Sequence, residues 1–209
     1  MKSLLAIFLF MHSFSFFGQR TLFSGNNNYV VTVAPATVPT TNLILNLNAS
    51  AYSGSGTTWN DASSQNNNAS LVGSPTYTSS PASFTFAPNK YALSSTLINS
   101  FASATFIAWV NPSQTQGSYT GLIFSRSPNS GATAPATGLN FYTNNSIGYS
   151  WNDNPSSYNW DSGLQATVGA WSMIAVTISS SSAIAYLFNA SNPTGLSRTN
   201  TVSHPTLTG

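Results

Sequence analysis

The sequence predicts an all-β protein folded as an antiparallel sandwich, and three observations carry that expectation. Ser, Thr and Asn make up 83 of the 209 residues and Glu is absent; β-branched Thr and locally bonding Ser and Asn favour strands and turns over helices. From Asn42 onward, short apolar runs are separated by clusters of Gly, Pro, Asn and Ser, the texture of a many-stranded sandwich. No stretch shows an apolar period of 3.6 residues. A hydrophobic content of 41% with 13% aromatics supplies one sizeable core, so one domain is expected.

Residues 1–18 read as a secretory signal peptide: Lys2 precedes an apolar run from Leu4 to Met11, and cleavage is expected after Ser15 or Gly18. The run is too short for a membrane span, which needs about 20 apolar residues. Residues 19–41, which include SGNNN, YVVTV and APATVPTTN, read as a Pro/Thr/Asn-rich linker. The domain then runs over 42–209. LILNLNA places Leu43, Leu45 and Leu47 on one strand face, and SFTFA does the same with Phe84 and Phe86. TFIAWVNP sets Phe106, Ala108 and Val110 on one side and Ile107 and Trp109 on the other, which predicts a strand covered on both faces and ended by Pro112. GLIFSR and GLNFY follow as strands. WSMIAVTI at 171–178 and AIAYLFN, joined by SSSS, predict a hairpin at the centre of the core.

Charge excludes several partners. Charged residues are 4% of the chain and the formal net charge is +2, so there is no basic patch for nucleic acid. Lys90, Arg126 and Arg198 are single, dispersed charges, a poor match to an anionic membrane. Membrane insertion is not expected. Zero cysteines remove disulfides, thiol chemistry and Cys-based zinc sites.

The stretch SIGYSWNDNPSSYNWDSG, residues 146–163, is the richest in candidate function. Ile147, Tyr149 and Trp151 share one parity, and Tyr158 and Trp160 share another after NDNPSS, which predicts two short strands joined at Asn154-Pro155 with Trp151 and Trp160 near each other. Two readings stand: core packing, the commoner fate of large aromatics, or a sugar-stacking surface of Tyr149, Trp151, Asp153, Tyr158 and Trp160. His204, the one histidine outside the leader, is expected in a loop or at a strand end. No Ser-His-Asp set or G-x-S-x-G elbow is legible, and a lone histidine makes no transition-metal site.

The run NLILNLNASAYSGSGTTWNDASSQNNNASLVGSPTY, then FTFAPNKYALS and ATFIAWVNP, resembles the laminin-G-like, concanavalin A-like lectin/glucanase modules of exported bacterial proteins. IGYSWNDNPSSYNWDSGLQATVGAWSMIAVTISSSSAIAYLFN, with its recurring order of aromatics, strengthens the likeness, which covers about Asn42 to Gly209. The resemblance implies a two-sheet antiparallel jelly roll. It also implies further strands beyond LTG, so Leu43–Leu47 is expected to lack a neighbour. Glycanases of this kind use an E-x-D-x-x-E cluster, because retaining hydrolysis needs two carboxylates about 5 Å apart; this chain has only Asp61, Asp153 and Asp161. Some relatives hold calcium, and any calcium here is expected at Asp61, Asp153 or Asp161, with DASSQNN offering oxygens from Asp61, Ser63, Gln65 and Asn67. The leading expectation is a secreted or surface-bound module that binds carbohydrate or mediates adhesion without catalysis, its partner a glycan or cell-surface polysaccharide. Two alternatives remain: a structural spacer or adhesin repeat of a larger surface protein, and a remnant of a glycoside hydrolase.

Overall fold

The computed structural model describes residues 4–6, 41–94, 101–126 and 136–207. The leader and linker expectations therefore lie outside the described residues, apart from 4–6 and Thr41. In chain order the strands are β1 (Leu4–Ala6), β2 (Thr58–Trp59), β3 (Ala69–Val72), β4 (Thr76–Ser79), β5 (Ala82–Thr85), β6 (Tyr91–Ser94), β7 (Ala104–Val110), β8 (Thr120–Arg126), β9 (Thr137–Phe141), β10 (Ile147–Ser150), β11 (Ser172–Ile178), β12 (Ala183–Asn189) and β13 (Asn192–Asn200). A single-turn helix, α1 (Pro155–Tyr158), follows β10. No helix among the described residues is long and apolar enough to cross a membrane.

The pairings are antiparallel, and the fold is the expected two-sheet jelly-roll sandwich. One sheet runs β10-β9-β8-β1-β6-β3-β2, the other β13-β12-β11-β7, and β4-β5 forms a separate ribbon. β1 lies between β6 and β8, with Leu5 opposite both Ser94 and Ser125. The predicted hairpin is β11–β12, in register from Ile178↔Ala183 to Ser172↔Asn189 and closed by Ser179 N donating to Ser182 O at 2.8 Å. Ile174, Val176, Ala183 and Ala185 are buried from it, and from β7 Phe106, Ala108 and Val110. These meet Ile123, Leu139, Phe141, Ile147 and Tyr149 of the other sheet to form the larger core. A second cluster gathers Leu45, Leu47, Trp59, Leu71, Phe84 and Ala92.

β8 and β9 approach so closely at a bulge that a side chain at Gly138 (φ 152°) would fall onto the Ile123 carbonyl, so only glycine fits there. Two local expectations need correction. β7 is covered on its outer face at Trp109, which packs against the second cluster, but Ile107 stays 37% exposed. Leu43–Leu47 makes no ladder strand, only the Leu47↔Asp61 bridge, although Leu45 and Leu47 are buried as their alternation predicts. Its backbone is bonded instead by the 61–67 loop: Ala62 N donates to Asn46 O at 2.8 Å and Asn67 Nδ2 to Ile44 O at 2.8 Å.

Candidate functional site

β10 carries the first half of the aromatic stretch, and its alternation buries Ile147 and Tyr149 in the larger core, followed by Trp151. Tyr149 and Trp151 are both fully buried, so neither is a sugar-stacking surface. The predicted second strand is also absent. After Trp151 the chain reverses through Asn152 (φ 51°) and Asp153 (φ 54°), residue types that tolerate the left-handed region. Asn154 then caps α1, its Oδ1 accepting from Ser156 N at 2.9 Å, with Pro155 as the first helical residue. A capped turn of helix thus replaces a hairpin arm. Trp160 meets Tyr149 edge-on with ring centroids 5.7 Å apart, while Trp151 lies against the His204 ring at 6.1 Å.

His204 lies just past the end of β13, at a loop position as the sequence predicts, but it is 2% exposed and bonded into the core. Its Nε2 is 2.7 Å from Tyr149 OH. Asn200 Nδ2 donates to the same hydroxyl at 3.0 Å and to Ser156 O at 3.0 Å. The arrangement that gives each partner a role has Tyr149 accepting from Asn200 and donating to Nε2 of a neutral His204, which places the imidazole proton on Nδ1. Trp151 Nε1 donates to Pro205 O at 2.7 Å, and Leu207 N to Phe101 O at 2.8 Å, so segment 201–207 is latched across the core. Burial pushes the Tyr149 phenol up to about 12, against the opposing Asn200 bond. Burial also pulls the His204 imidazole below its ordinary value of 6.5, with the Ser179 backbone opposing. These bonds tie Tyr149, Asn200 and His204 together inside the fold.

The sign of the pH effect follows. A histidine whose folded pKa is depressed contributes stability that is present above the unfolded value of 6.5 and lost as pH falls toward the folded value. The wild-type melting temperature is expected to drop as pH is lowered below about 6.5, and His204→Gln should flatten that window. An unchanged pH profile in the variant would show that another group carries it.

The three aspartates have three different fates. Asp61 is 8% exposed and acts as an acceptor hub: Oδ1 takes Asn46 N and Ser63 N at 2.8 Å each, and Oδ2 takes Ser63 Oγ at 2.5 Å and Asn67 N at 2.8 Å. Ser63 and Asn67 thus reach Asp61 as the sequence suggests, but with donors facing the carboxylate. That polarity is opposite to a calcium cage, in which oxygens face the ion. Asp153 sits on the left-handed turn, its N–H bonded to Ala136 O at 3.1 Å. Asp161 is exposed and accepts from Ser146 Oγ and from Gly163 N. Among the described residues no three His, Asp or Glu side chains gather as a metal site.

Of the predicted surface only Tyr158 belongs to a second aromatic group, in which Tyr119 is exposed and Tyr142 and Tyr158 are half-buried, and whose other members the sequence reading missed. Tyr119, 51% exposed, stands edge-on to Tyr142 (5.5 Å, 80°) and to Tyr158 (6.2 Å, 77°). Its hydroxyl donates to Asn159 Oδ1 at 2.8 Å. Tyr119 has φ 62°, an outlier for so bulky a residue. The conformation is held by Tyr119 N donating to Tyr142 O at 3.1 Å, by Thr120 Oγ1 donating to Gly117 O at 2.8 Å, and by Gln116 N donating to Asn145 Oδ1 at 2.7 Å. Tyr142 lies over the outer face of β10, where a side chain at Gly148 would come within 3.1 Å of its Cβ. The aromatics at the two turns, QGSY and YTNN, were the available signal, but nothing in linear order joins residues 119, 142 and 158.

Residues 86–200 match the family model described as Laminin_G_3, concanavalin A-like lectin/glucanases superfamily. Comparison with curated proteins and with solved structures gave no match. The match covers more than half of the 209 residues and spans β6 through β13, which include the strands that build the larger core. With its two-sheet antiparallel architecture, the chain belongs to the concanavalin A-like lectin/glucanase superfamily.

Proposed function

We propose that this chain is an exported carbohydrate-binding module that acts by surface contact and performs no hydrolysis. The observation that carries the reading is the superfamily match in a chain that contains no Glu. Retaining and inverting glycosidases both need a matched pair of carboxyl groups. Here Asp61 is engaged by four donors inside the fold, and Asp153 and Asp161 sit on separate turns. A surface with few charges and rich in hydroxyl and amide groups, with Tyr119 exposed on it, suits neutral glycans, which are held by stacking and hydrogen bonds. Secretion is part of the same reading and rests on the leader pattern of residues 1–18, whose removal would take β1 out of the sheet between β6 and β8.

A glycan array probed with the purified chain is expected to show binding, and a reducing-sugar assay on the bound glycans to show no turnover. Turnover lost on Asp153→Asn or Asp161→Asn would overturn the non-catalytic reading. A folded chain that binds nothing on the array would transfer the assignment to a structural spacer of a larger surface protein.

A further inference from the structure

We propose that the tyrosine group of Tyr119, Tyr142 and Tyr158, with Asn159, is the contact surface for a neutral polysaccharide chain. The inference rests on the carbohydrate-binding reading and adds to it a place and a ligand class. The molecule divides its aromatics sharply. Trp59, Trp151, Tyr149 and Phe141 are buried to 2% or less, whereas Tyr119 is the most exposed of the large hydrophobic side chains among the described residues.

An exposed ring at a strained backbone position is a costly choice. With φ at 62°, glycine would serve the turn better, and Asn or Asp would be tolerated. Tyr at that position therefore points to a use for the ring itself, since strained residues concentrate at binding sites. The surface is also set before any ligand arrives. Backbone and amide bonds tie the 112–120 loop to the turn after β9 through Tyr142 and Asn145, and Tyr119 OH is oriented by Asn159. Little side-chain freedom is then left to lose on binding.

The groups that bond or stack within the cluster are phenols, amides and backbone, and none carries a charge. A sulfated or uronic acid polymer would find no cation among them, whereas the C–H faces of neutral sugar rings match the tyrosine faces and their hydroxyls match the amides.

The test uses the purified chain in pull-downs and affinity electrophoresis with cellulose, xylan and chitin as neutral probes and polygalacturonate as the anionic one. Wild type is expected to bind at least one neutral polymer and not the anionic one. Tyr119→Gly should weaken that binding by about tenfold or more, the effect of losing roughly one stacked ring. It should also keep or raise the melting temperature, because glycine relieves the positive φ. Tyr142→Ala should weaken binding similarly, and Tyr186→Ala on the opposite sheet should not. Binding to a neutral polymer that both Tyr119→Gly and Tyr142→Ala leave unchanged would overturn the assignment of the surface while leaving the carbohydrate-binding reading in place. Binding to polygalacturonate alone would overturn the ligand class, and a folded wild type that binds none of the polymers would overturn both.

Discussion

Trp151→Ala is expected to be among the most damaging single truncations in the chain, lowering stability by about 3 to 5 kcal/mol. The indole is fully buried in the larger core, against the His204 ring. Removing it leaves a cavity that the surrounding β-sheets, pinned by their ladders, can close only in part. It also strands the Pro205 carbonyl that Nε1 now bonds at 2.7 Å, loosening the 201–207 latch. Trp160→Ala should cost clearly less, because Trp160 is only half-buried and packs against the core from outside. Urea unfolding of the two variants side by side checks the ranking. Equal losses would mean that Trp160 is as structural as Trp151, and that its edge contact with Tyr149 is worth more than partial burial allows.

The hierarchy of legibility in the sequence has physical reasons. The β11–β12 hairpin was readable because two continuous apolar runs flank SSSS, and strand pairing between neighbours in sequence needs no other information. The alternation of Leu43, Leu45 and Leu47 gave burial at Leu45 and Leu47 but not pairing, since a period of two reports which face is apolar and not what the backbone bonds to. In the 146–163 stretch, parity placed Tyr149 and Trp151 together on the inner face. It failed beyond Trp151, where Asn154 and Pro155 are a helix start as readily as a hairpin turn, and the cap won. The burial of His204 and the grouping of the three tyrosines were not readable. Each depends on partners 40 to 55 positions away in the chain, such as Tyr119 with Asn159 and Tyr149 with His204.

The tripeptide Trp-Asn-Asp, which occurs at 59–61 and at 151–153, separates what local sequence determines from what it does not. Both tryptophans are fully buried, one in each core cluster, and both indoles donate to a backbone carbonyl, Trp59 to Asn48 O at 3.0 Å and Trp151 to Pro205 O at 2.7 Å. The aspartates diverge. Asp153 follows a left-handed Asn into a partly exposed turn, while Asp61 bridges to Leu47 and is enclosed by the 61–67 loop. The large apolar ring dictates its own burial through area alone. The short polar side chain takes whatever donors the next few residues bring to it.

That difference makes Asp61 the origin of the second large effect, Asp61→Ala. Three backbone N–H groups, those of Asn46, Ser63 and Asn67, point at its carboxylate. Asp61 N is itself bound by Asn68 Oδ1 at 2.9 Å, so the whole 61–68 loop folds about this side chain. Truncation leaves those donors short of an acceptor in a partly buried site, at about 1 to 3 kcal/mol for each that water cannot reach. The loop also supplies the bonds that hold Ile44 and Asn46, and with them Leu45 and Leu47 of the second cluster. Asp61→Asn should be milder in shape but still destabilising, because its amide would turn an N–H toward donors on one side. The acid limb has a definite sign. Burial alone would raise the Asp61 pKa, but the bonds from Ser63 Oγ and from the N–H groups of Asn46, Ser63 and Asn67 outweigh it and hold the carboxyl below its ordinary value of 3.8. A carboxylate with a depressed folded pKa contributes stability that is present above the unfolded value and lost as pH falls through the folded one. Thermal melts of the wild type are therefore expected to fall steeply below pH 3.8, in a limb separate from the one His204 sets nearer neutrality. Asp61→Asn should flatten that acid limb while leaving the His204 limb in place; an acid limb of full amplitude in the variant would show that the loop is held by something other than the Asp61 charge.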